Sequence, residues 1–416
     1  MSEKRNIILT KWACYTASMS MSVTTNLAPI LFLTFQELYD ISYTLLGLLV
    51  LINFSTQLLV DLVFSFLSHK INAKAAVKVT PILNITGFLL FAAAPLIFPG
   101  YEYIGLLIGT VIYSASSGFN EVLISPVIAA LPSDNADREV SKLHSLYAWG
   151  VVIVVPVCTL FLLFIGGEMW QLLPLVFSVI PLISAILFMC ARLPDINSNE
   201  RTSGTAKHFK NPLLWVMVIG IFLGGASECT ISQWASSYIE GALGVPKVFG
   251  DIFGVALFAA MLALGRTLFA RFGRRAEPVI FGGAILAFVC YVVAAISPIP
   301  VIGLIATALC GLATSMLWPG SLIISSSRIP TGGVFIYALM AAGGDLGASV
   351  GPQMVGAITD MISANTALTE KIGIGAEELG MRSGMLIGAV FPLIAIFIYL
   401  YLLKTSRPRA AELEKI

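Results

Sequence analysis

Three acidic residues, Glu121, Glu228 and Asp345, lie deep inside apolar stretches of this 416-residue chain. Each stretch reaches the roughly 20 residues that a helix needs to cross a bilayer. A carboxylate near the bilayer centre costs roughly 2.5–3.5 kcal/mol on insertion scales, so an acid there is a functional candidate by default. The sequence places no basic residue at the same depth. We therefore expect the three acids to face one cavity, with at least one of them protonated at neutral pH.

Glu121 belongs to a stripe of small and polar residues within the segment Ser114–Pro132. At helical spacing one face carries Ser114, Ser117, Gly118, Glu121 and Ser125, whereas the other faces are Ile, Leu and Val. This pattern predicts one wall of an aqueous cavity and makes Glu121 the first candidate for a proton carrier. A carboxylate paired structurally to a neighbouring helix is the alternative interpretation.

Other polar and aromatic residues in the apolar stretches are candidates for contact with a solute or for gating. The predicted solute contacts are Asn26, Asn53, Gln57, Ser125, Tyr147, Trp234, Trp318 and Tyr337. The predicted gate residues are Asp61, which is either a gate or a packing acid, with Arg266, Arg271, Arg274 and Arg275. His144 is a further proton-transfer candidate, since the unperturbed pKa of histidine is about 6.5. Buried amides also form interhelical bonds, and tryptophans also anchor helices at the membrane interface.

The composition identifies an integral membrane protein. Hydrophobic residues make up 57% of the chain and charged residues 11%, with a mean hydropathy of +0.91, against about 25% charged residues in soluble domains. The six cysteines lack metal-ligand spacing, which predicts packing roles and no metal site. The sequence has no phosphate-binding loop, nucleophile elbow or Lys/Arg-rich run. We therefore expect no ATP-driven or other enzyme activity, no cofactor and no nucleic-acid partner.

Twelve apolar runs predict an all-α polytopic membrane protein, because the period-two alternation of a membrane barrel is missing. The predicted spans are 7–34, 43–68, 77–98, 103–131, 142–165, 171–191, 213–239, 248–270, 277–297, 299–327, 331–358 and 381–404. Alternate loops are rich in Lys and Arg. The positive-inside rule therefore predicts cytoplasmic N- and C-termini, and we expect a multi-pass protein of the plasma (inner) membrane.

The polar segment 192–212 divides the predicted spans into an N-terminal six-helix bundle, 1–191, and a C-terminal six-helix bundle, 213–416. The same charge rule predicts that this linker is cytoplasmic. Internal repetition favours the division, since Pro126 follows Gly118 by eight residues and Pro319 follows Gly311 by eight residues. Two such bundles around a central site are typical of a secondary transporter.

The segment 266–275, RTLFARFGRR, resembles a loop signature of the major facilitator superfamily, Gly-x-Leu-Ala-Asp-Arg-x-Gly-Arg-Arg. The matching residues are Leu268, Arg271, Gly273, Arg274 and Arg275. Ala270 takes the position of the acid. The first-half copy is degenerate, with His69 at the acid position and Asn72 at the glycine position. The resemblance extends over the whole chain through the twelve-span pattern, and it implies two pseudo-symmetric six-helix bundles.

Four shorter motifs are similar to the fucose permease branch of that superfamily, which contains proton-coupled sugar symporters. They are Glu121 followed by Ser125-Pro126, Glu228 followed by Trp234 and Tyr238, Trp318-Pro319-Gly320-Ser321, and His144 with Tyr147 before Gly150. Symporters of that branch commonly carry an Asp in the first span. Here the polar face of that span offers only Ser18, Ser22, Thr25 and Asn26, so the two-carboxylate scheme of the branch does not transfer whole.

The resemblance implies proton-coupled sugar symport by alternating access, with a functional monomer that takes up a small polar solute. A proton-coupled antiporter that exports an organic cation or drug is the nearer alternative, because acids without bases at mid-depth suit a cation as well as a proton. A non-transporting sensor or scaffold is the more distant one. It would need a soluble domain or large loops, and the longest loops are 192–212 and 359–380.

Overall fold

The structure, a computed structural model, describes residues 3–67, 72–132, 136–194, 210–273, 275–329 and 333–405. The regular structure of these residues is helical, and twelve long helices follow one another along the chain. They are α1 (Glu3–Ile30 continuing as Phe32–Tyr39), α2 (Tyr43–Leu67), α3 (Ala73–Ala92 continuing as Ala94–Ile97), α4 (Glu102–Ala129), α5 (Ala136–Ile165), α6 (Leu172–Phe177 continuing as Val179–Cys190), α7 (Pro212–Leu243), α8 (Lys247–Phe249, Gly250–Ala256 and Leu257–Phe272), α9 (Ala276–Ile296), α10 (Pro300–Thr314 continuing as Leu317–Arg328), α11 (Gly333–Ser363) and α12 (Ala376–Gly388 continuing as Val390–Lys404).

Most of these helices meet the length and hydropathy of a membrane span. Among the described residues nine do so, and α1 adds a tenth when its two pieces, bent by 46°, count as one span. The remaining two, α5 and α11, are 30 and 31 residues long and include residues whose side chains are not described. The helices correspond one to one with the predicted spans, so the predicted all-helical polytopic fold is confirmed.

Local sequence signals account for the limits of α7, which is continuous over 32 residues. The side chain of Asn211 caps the helix by accepting a hydrogen bond from the Leu213 amide at 3.0 Å, and Pro212 occupies the first turn, where its missing N–H costs nothing. The helix ends at Gly244, whose φ of 64° belongs to the left-handed region that glycine adopts without strain. The N-terminal signals therefore start α7 at the end of the predicted linker.

The N- and C-termini of the described chain lie at the same end of the bundle, which we call the terminal end; the opposite end is the far end. The Asn6 side chain, at the start of α1, donates to the Arg192 carbonyl oxygen at 2.8 Å, just after α6. Arg328, at the end of α10, donates to Thr405 Oγ1 at 3.0 Å, just after α12. These bonds join helix ends that an even number of spans brings to one side.

The hydrophobic cores show how helices α1–α6, the first half, meet helices α7–α12, the second half. One core at the far end contains residues of both halves, such as Phe32 and Trp234. At the terminal end each half has its own core, one around Phe188 and the other around Tyr399. In the described residues the halves therefore pack together at the far end and part toward the terminal end.

Two glycines of the predicted repeat have equivalent packing roles. A Cβ at Gly118 of α4 would lie 2.9 Å from Val60 Cβ of α2, and a Cβ at Gly311 of α10 would lie 2.2 Å from the Phe258 carbonyl oxygen of α8. Each glycine thus brings the fourth helix of its half close to the second. The predicted linker lies mostly outside the described residues, so the domain boundary there remains a prediction.

Glu139 provides a pH-dependent contact within the first half at the terminal end. Its carboxylate accepts hydrogen bonds from the Lys11 and Lys142 ammonium groups, each at 2.7 Å. Glu139 precedes the apolar part of α5, Trp149–Ile165. The two lysines lower the pKa of Glu139 to about 2.

We expect this contact to stabilise the fold above the unfolded-state pKa of about 4.3 and to lose its effect as the pH falls toward 2. Because the folded-state pKa is the lower one, stability rises with pH across that window. Glu139→Gln should therefore lower Tm at pH 7 and flatten the dependence of Tm on pH between about 4.3 and 2. Thermal unfolding in detergent checks this, and an unchanged pH profile in the variant would contradict it.

Candidate functional site

Three carboxylates from three helices meet in the interior: Asp61 of α2, Glu121 of α4 and Asp345 of α11. We call them the acid triad. Carboxylate oxygens of the three residues lie within 4.8 Å of one another. Two of the helices belong to the first half and one to the second, so the triad spans the contact between the halves.

The first-half side of the triad is held by a row of polar side chains on α2. Asn53, Gln57 and Asp61 are spaced four residues apart and share one face of the helix. Gln57 Nε2 donates to Asn53 Oδ1 at 3.1 Å, and Ser114 Oγ of α4 donates to the same oxygen at 2.6 Å. Since Gly118 lets α4 approach α2 closely, Glu121 comes to lie beside Asp61.

The second-half side is held by glycines that flank Asp345. A Cβ at Gly343 would lie 3.0 Å from Val218 Cγ1, and a Cβ at Gly347 would lie 2.0 Å from the Phe222 carbonyl oxygen, so both glycines seat α11 on α7. Gly344 lies directly against the ring of Trp318. The glycines that marked Asp345 in the sequence are therefore packing positions that let α11 approach α7 and α10.

The triad is electrostatically uncompensated. Asp61 is 7% exposed and Asp345 is 3% exposed, and one oxygen of each, Oδ1 of Asp61 and Oδ2 of Asp345, has no hydrogen-bond partner in the described structure. Within the described residues none of the three acids forms an ion pair. Two negative charges 4.8 Å apart repel by about 3–4 kcal/mol at an effective dielectric constant of 20. The arrangement is therefore suited to holding a proton or a cation.

Glu228 does not join the triad. Its two carboxylate oxygens lie 3.2 and 3.3 Å from Arg266 Nη2, and Arg266 Nε donates to the Ser315 carbonyl oxygen at 3.1 Å. The prediction that no basic residue neutralises these acids is therefore wrong for Glu228, whereas a cavity shared by all three stays a prediction. Arg266 lies further toward the terminal end, but a long arginine side chain can carry its charge away from its own backbone position.

The other predicted solute contacts differ in how deeply they are buried. Ser125, Tyr147 and Trp318 are half-buried, and Asn26 donates to the Ser22 carbonyl oxygen of its own helix at 2.9 Å. The Tyr147 carbonyl oxygen accepts a hydrogen bond from Ser22 Oγ of α1 at 2.7 Å.

Trp234 lies in the far-end core, with its ring centroid 4.9 Å from Phe32 and 5.9 Å from Tyr43 of the first half. Its Nε1 donates to the Pro352 carbonyl oxygen at 2.8 Å, and the side chain is 1% exposed. In this conformation Trp234 therefore helps to close the far end.

Three predicted residues lie outside the described part of the structure: Arg274 entirely, and His144 and Tyr337 in their side chains. Of the other predicted gate residues, Arg271 and Arg275 are exposed at the terminal end, where Arg275 Nε lies 3.9 Å from Glu277. Their roles as gates remain predictions.

Two acids that sequence reasoning missed join the halves at the far end. The Asp360 carboxylate of α11 accepts from the backbone amides of Tyr43 at 3.1 Å and Thr44 at 2.6 Å, at the start of α2. Asp251 of α8 is fully buried, accepts from Thr159 Oγ1 of α5 at 2.7 Å and pairs with Lys247 at 3.2 Å. The four-residue spacing of Lys247 and Asp251 indicated the ion pair between them, whereas nothing local indicated either contact between the halves.

Comparison with solved structures places this architecture among known transporters. A bacterial homologue of the human lysosomal transporter Spinster, in an inward-facing and occupied conformation, has 16% identity and a TM-score of 0.74, with 98% of each chain covered. The nucleoside transporter NupG has 13% identity and a TM-score of 0.73, with 95% of this chain and 99% of that chain covered. FucP of E. coli in an outward conformation has 17% identity and a TM-score of 0.64, with 97% and 100% covered.

Curated protein sequences give no significant match. The model of the Major Facilitator Superfamily, by contrast, matches residues 13–352, which is most of the chain. That match agrees with the twelve-helix architecture and with the motif at the end of α8. The chain therefore belongs to the major facilitator superfamily of transporters, as the sequence predicted.

Proposed function

We propose that the protein takes up a small polar solute, a sugar or a related polyol, in symport with protons. The observation that carries this proposal is the acid triad, because it joins ionisable groups of both halves at their contact. Rocking of the halves changes the distance of Asp345 from Asp61 and Glu121. A change in the charge of the triad is thereby linked to the conformational change that moves the solute.

Charge repulsion gives this link its direction. With protons bound, the three carboxylates tolerate the close approach seen here, in which the opening lies at the terminal end. When protons leave, repulsion of about 3–4 kcal/mol per charged pair drives Asp345 away from the first half. Protonation therefore favours the close approach of the halves at the triad, and proton release favours their separation there.

The solute site lies between the halves, next to the pair of Glu228 and Arg266. The Arg266 side chain is 37% exposed, and that of Glu228 is 16% exposed. The hydrogen bonds of Arg266 within the described residues use Nε and Nη2, which leaves Nη1 to donate to a solute. The Glu228 carboxylate can accept from one hydroxyl of a polyol, while the Arg266 guanidinium donates to another.

The known structures of similar fold are consistent with such a solute. Among them are the fucose:proton symporter FucP of E. coli and a D-xylose-proton symporter, at 17% and 16% identity. We carry proton-coupled sugar symport over to this chain only as a proposal. In the proposed topology the protein is a monomer in the plasma membrane, with its terminal end in the cytoplasm.

The test is a transport assay in proteoliposomes with an imposed inward proton gradient. Candidate sugars and polyols are added outside while a dye reports the external pH. For the transported sugar we expect solute accumulation together with alkalinisation of the outside, because protons enter with the solute. If a protonophore, which dissipates the proton gradient, does not reduce solute accumulation, proton symport is excluded.

A second candidate function is the export of an organic cation in exchange for protons. The observation that favours export is that one carboxylate oxygen each of Asp61 and Asp345 lacks a hydrogen-bond partner in the described structure. These oxygens could bind a cation directly. The same vesicles separate the two functions. In antiport the proton and the cation move in opposite directions, so adding the cation on the side with fewer protons acidifies that side.

A further inference from the structure

A lateral groove lies between α8, α9 and α10, away from the acid triad. Its volume is about 400 Å³, within the range of ligand-binding pockets. Its lining is almost entirely apolar and includes Leu268, Phe272, Val279, Gly282, Leu286 and Met316. The proposed solute transport does not use this groove.

The groove opens onto the surface that faces the bilayer. Three of its lining residues, Leu268, Phe272 and Val279, are 43%, 68% and 40% exposed. Large apolar side chains with this exposure are ordinary on the lipid-facing surface of a membrane protein. A lipid acyl chain is therefore the chemical group available to fill the groove.

The groove is open at Gly282 of α9, because glycine has no side chain to fill the space there. A Cβ at Gly283 would lie 2.5 Å from the Ala313 carbonyl oxygen, and a Cβ at Gly265 would lie 2.2 Å from Ser315 Oγ, so α10 packs tightly against both helices. Gly282, by contrast, has no atom within 4 Å of its ideal Cβ position. A larger residue at Gly282 would project into the groove without a backbone clash.

The dimensions of the groove suit one leaflet. Its α8 side runs from Gly265 to Gly273, which corresponds to about 12 Å at 1.5 Å per residue. The hydrocarbon of one leaflet is about 15 Å deep, half the bilayer core. A groove of this length accommodates most of an acyl chain that enters from the headgroup region at the terminal end.

The end of the groove at the headgroup level is positively charged. Arg271 and Arg275 are exposed there, and Arg271 lies over the Phe272 ring at 5.4 Å. The α9 N-terminus begins beside them without a side-chain cap and adds partial positive charge. The nearby acid, Glu277, lies 3.9 Å from Arg275 and 3.5 Å from Arg328, so the region keeps a net positive charge.

We propose that this groove binds an anionic phospholipid, with an acyl chain along Gly282 and the phosphate against Arg271 and Arg275. Tight binding in this proposal requires both an acyl chain in the apolar groove and a negatively charged headgroup at the arginines. A zwitterionic lipid would fill the groove but gain less from the arginines. A free phosphate would bind the arginines but would bury no apolar surface in the groove.

The experiment compares phosphatidylglycerol with phosphatidylcholine of identical acyl chains on the delipidated full-length protein in detergent. A lipid that binds the folded state raises Tm, and we expect phosphatidylglycerol to raise it by about 2 °C or more beyond phosphatidylcholine. Native mass spectrometry should show retained phosphatidylglycerol adducts. Inorganic phosphate alone should leave Tm unchanged. Equal effects of the two lipids, or an equal effect of inorganic phosphate, would overturn the proposal.

Variants test the two parts of the site separately. Gly282→Phe should abolish lipid retention, whereas Ile285→Phe, on the same helix but outside the groove, should not. The double change Arg271→Gln with Arg275→Gln should remove the preference for phosphatidylglycerol, whereas Lys210→Gln, an exposed base before α7, should keep it. If Gly282→Phe does not fold, Gly282→Leu serves in its place. Full retention in a folded groove variant, or loss of the preference in the Lys210 control, would contradict the site.

Discussion

Replacing Glu121 by Gln should abolish proton-driven accumulation of the solute while leaving solute exchange intact. One proton crossing a membrane potential of 100 mV releases about 2.3 kcal/mol, which supports an accumulation of about 50-fold at 1.4 kcal/mol per factor of ten. The amide cannot release a proton, so the cycle loses its link to the gradient. We expect the accumulation ratio to fall to about 1.

The measurement uses proteoliposomes with an imposed proton gradient and, in parallel, counterflow exchange without one. Glu121→Gln should not accumulate solute on the proton gradient but should still exchange solute in counterflow. Asp345→Asn should behave similarly, because Asp345 belongs to the same acid triad. Glu37→Gln is the matched control, since Glu37 is an exposed acid outside the triad. A Glu121→Gln protein that still concentrates solute on the proton gradient would exclude Glu121 as the carrier.

The Glu121 helix shows how far the sequence can anticipate the candidate site. The small and polar stripe from Ser114 to Ser125 predicted a face turned to the interior, and in the structure Ser114 contacts Asn53 while Gly118 packs on α2. The partner of Glu121 was less obvious. Asp61 could have been found from its spacing with Asn53 and Gln57, because residues four apart share a helical face.

Side-chain reach explains the main error at the site. Depth along a predicted span is a property of the backbone, and Arg266 is placed well to the terminal side of Glu228 by that measure. The guanidinium nevertheless contacts both oxygens of Glu228. A long flexible side chain can thus pair with an acid more than one helical turn away in depth, and which acid it reaches depends on how α7 and α8 are packed.

The helices themselves follow from the sequence to a greater extent than their contacts do. Hydropathy and length identify the spans because a bilayer imposes both. The bend of α1 and the π-helical segment Gly250–Ala256 of α8 depend on neighbouring helices and had no clear signal. Contacts such as Tyr43 with Asp360 join residues 317 apart in the chain, and a single sequence holds no record of such pairs.

Asp360 is the residue whose removal should most alter the balance between conformations. Its carboxylate accepts from the Tyr43 and Thr44 amides, two of the N–H groups that the start of α2 leaves without intrahelical partners. The positive end of the α2 dipole adds to the attraction. Asp360 itself lies in the last turn of α11, where a negative charge is unfavourable for its own helix. Its favourable contacts are thus with the opposite half.

Asp360→Ala should shift the protein toward a conformation that is open at the far end. Hydrogen bonds to a charged group contribute about 1.5–3 kcal/mol, and these bonds require that the halves meet at the far end. In a far-end-open conformation α2 moves away with the first half, and water satisfies the two amides. Removing the carboxylate therefore destabilises only the conformation seen here, and we expect the ratio of the two conformations to change by about 10- to 150-fold.

Spin labels at Tyr101→Cys and Thr366→Cys report this change, because these exposed positions lie at the far end in opposite halves. The background replaces Cys190 and Cys229, the two native cysteines that are not buried. The interspin distance should lengthen in Asp360→Ala and stay unchanged in Glu370→Ala, an exposed acid at the same end. An unchanged distance distribution in Asp360→Ala would mean that Trp234 and Asp251 close the far end without it.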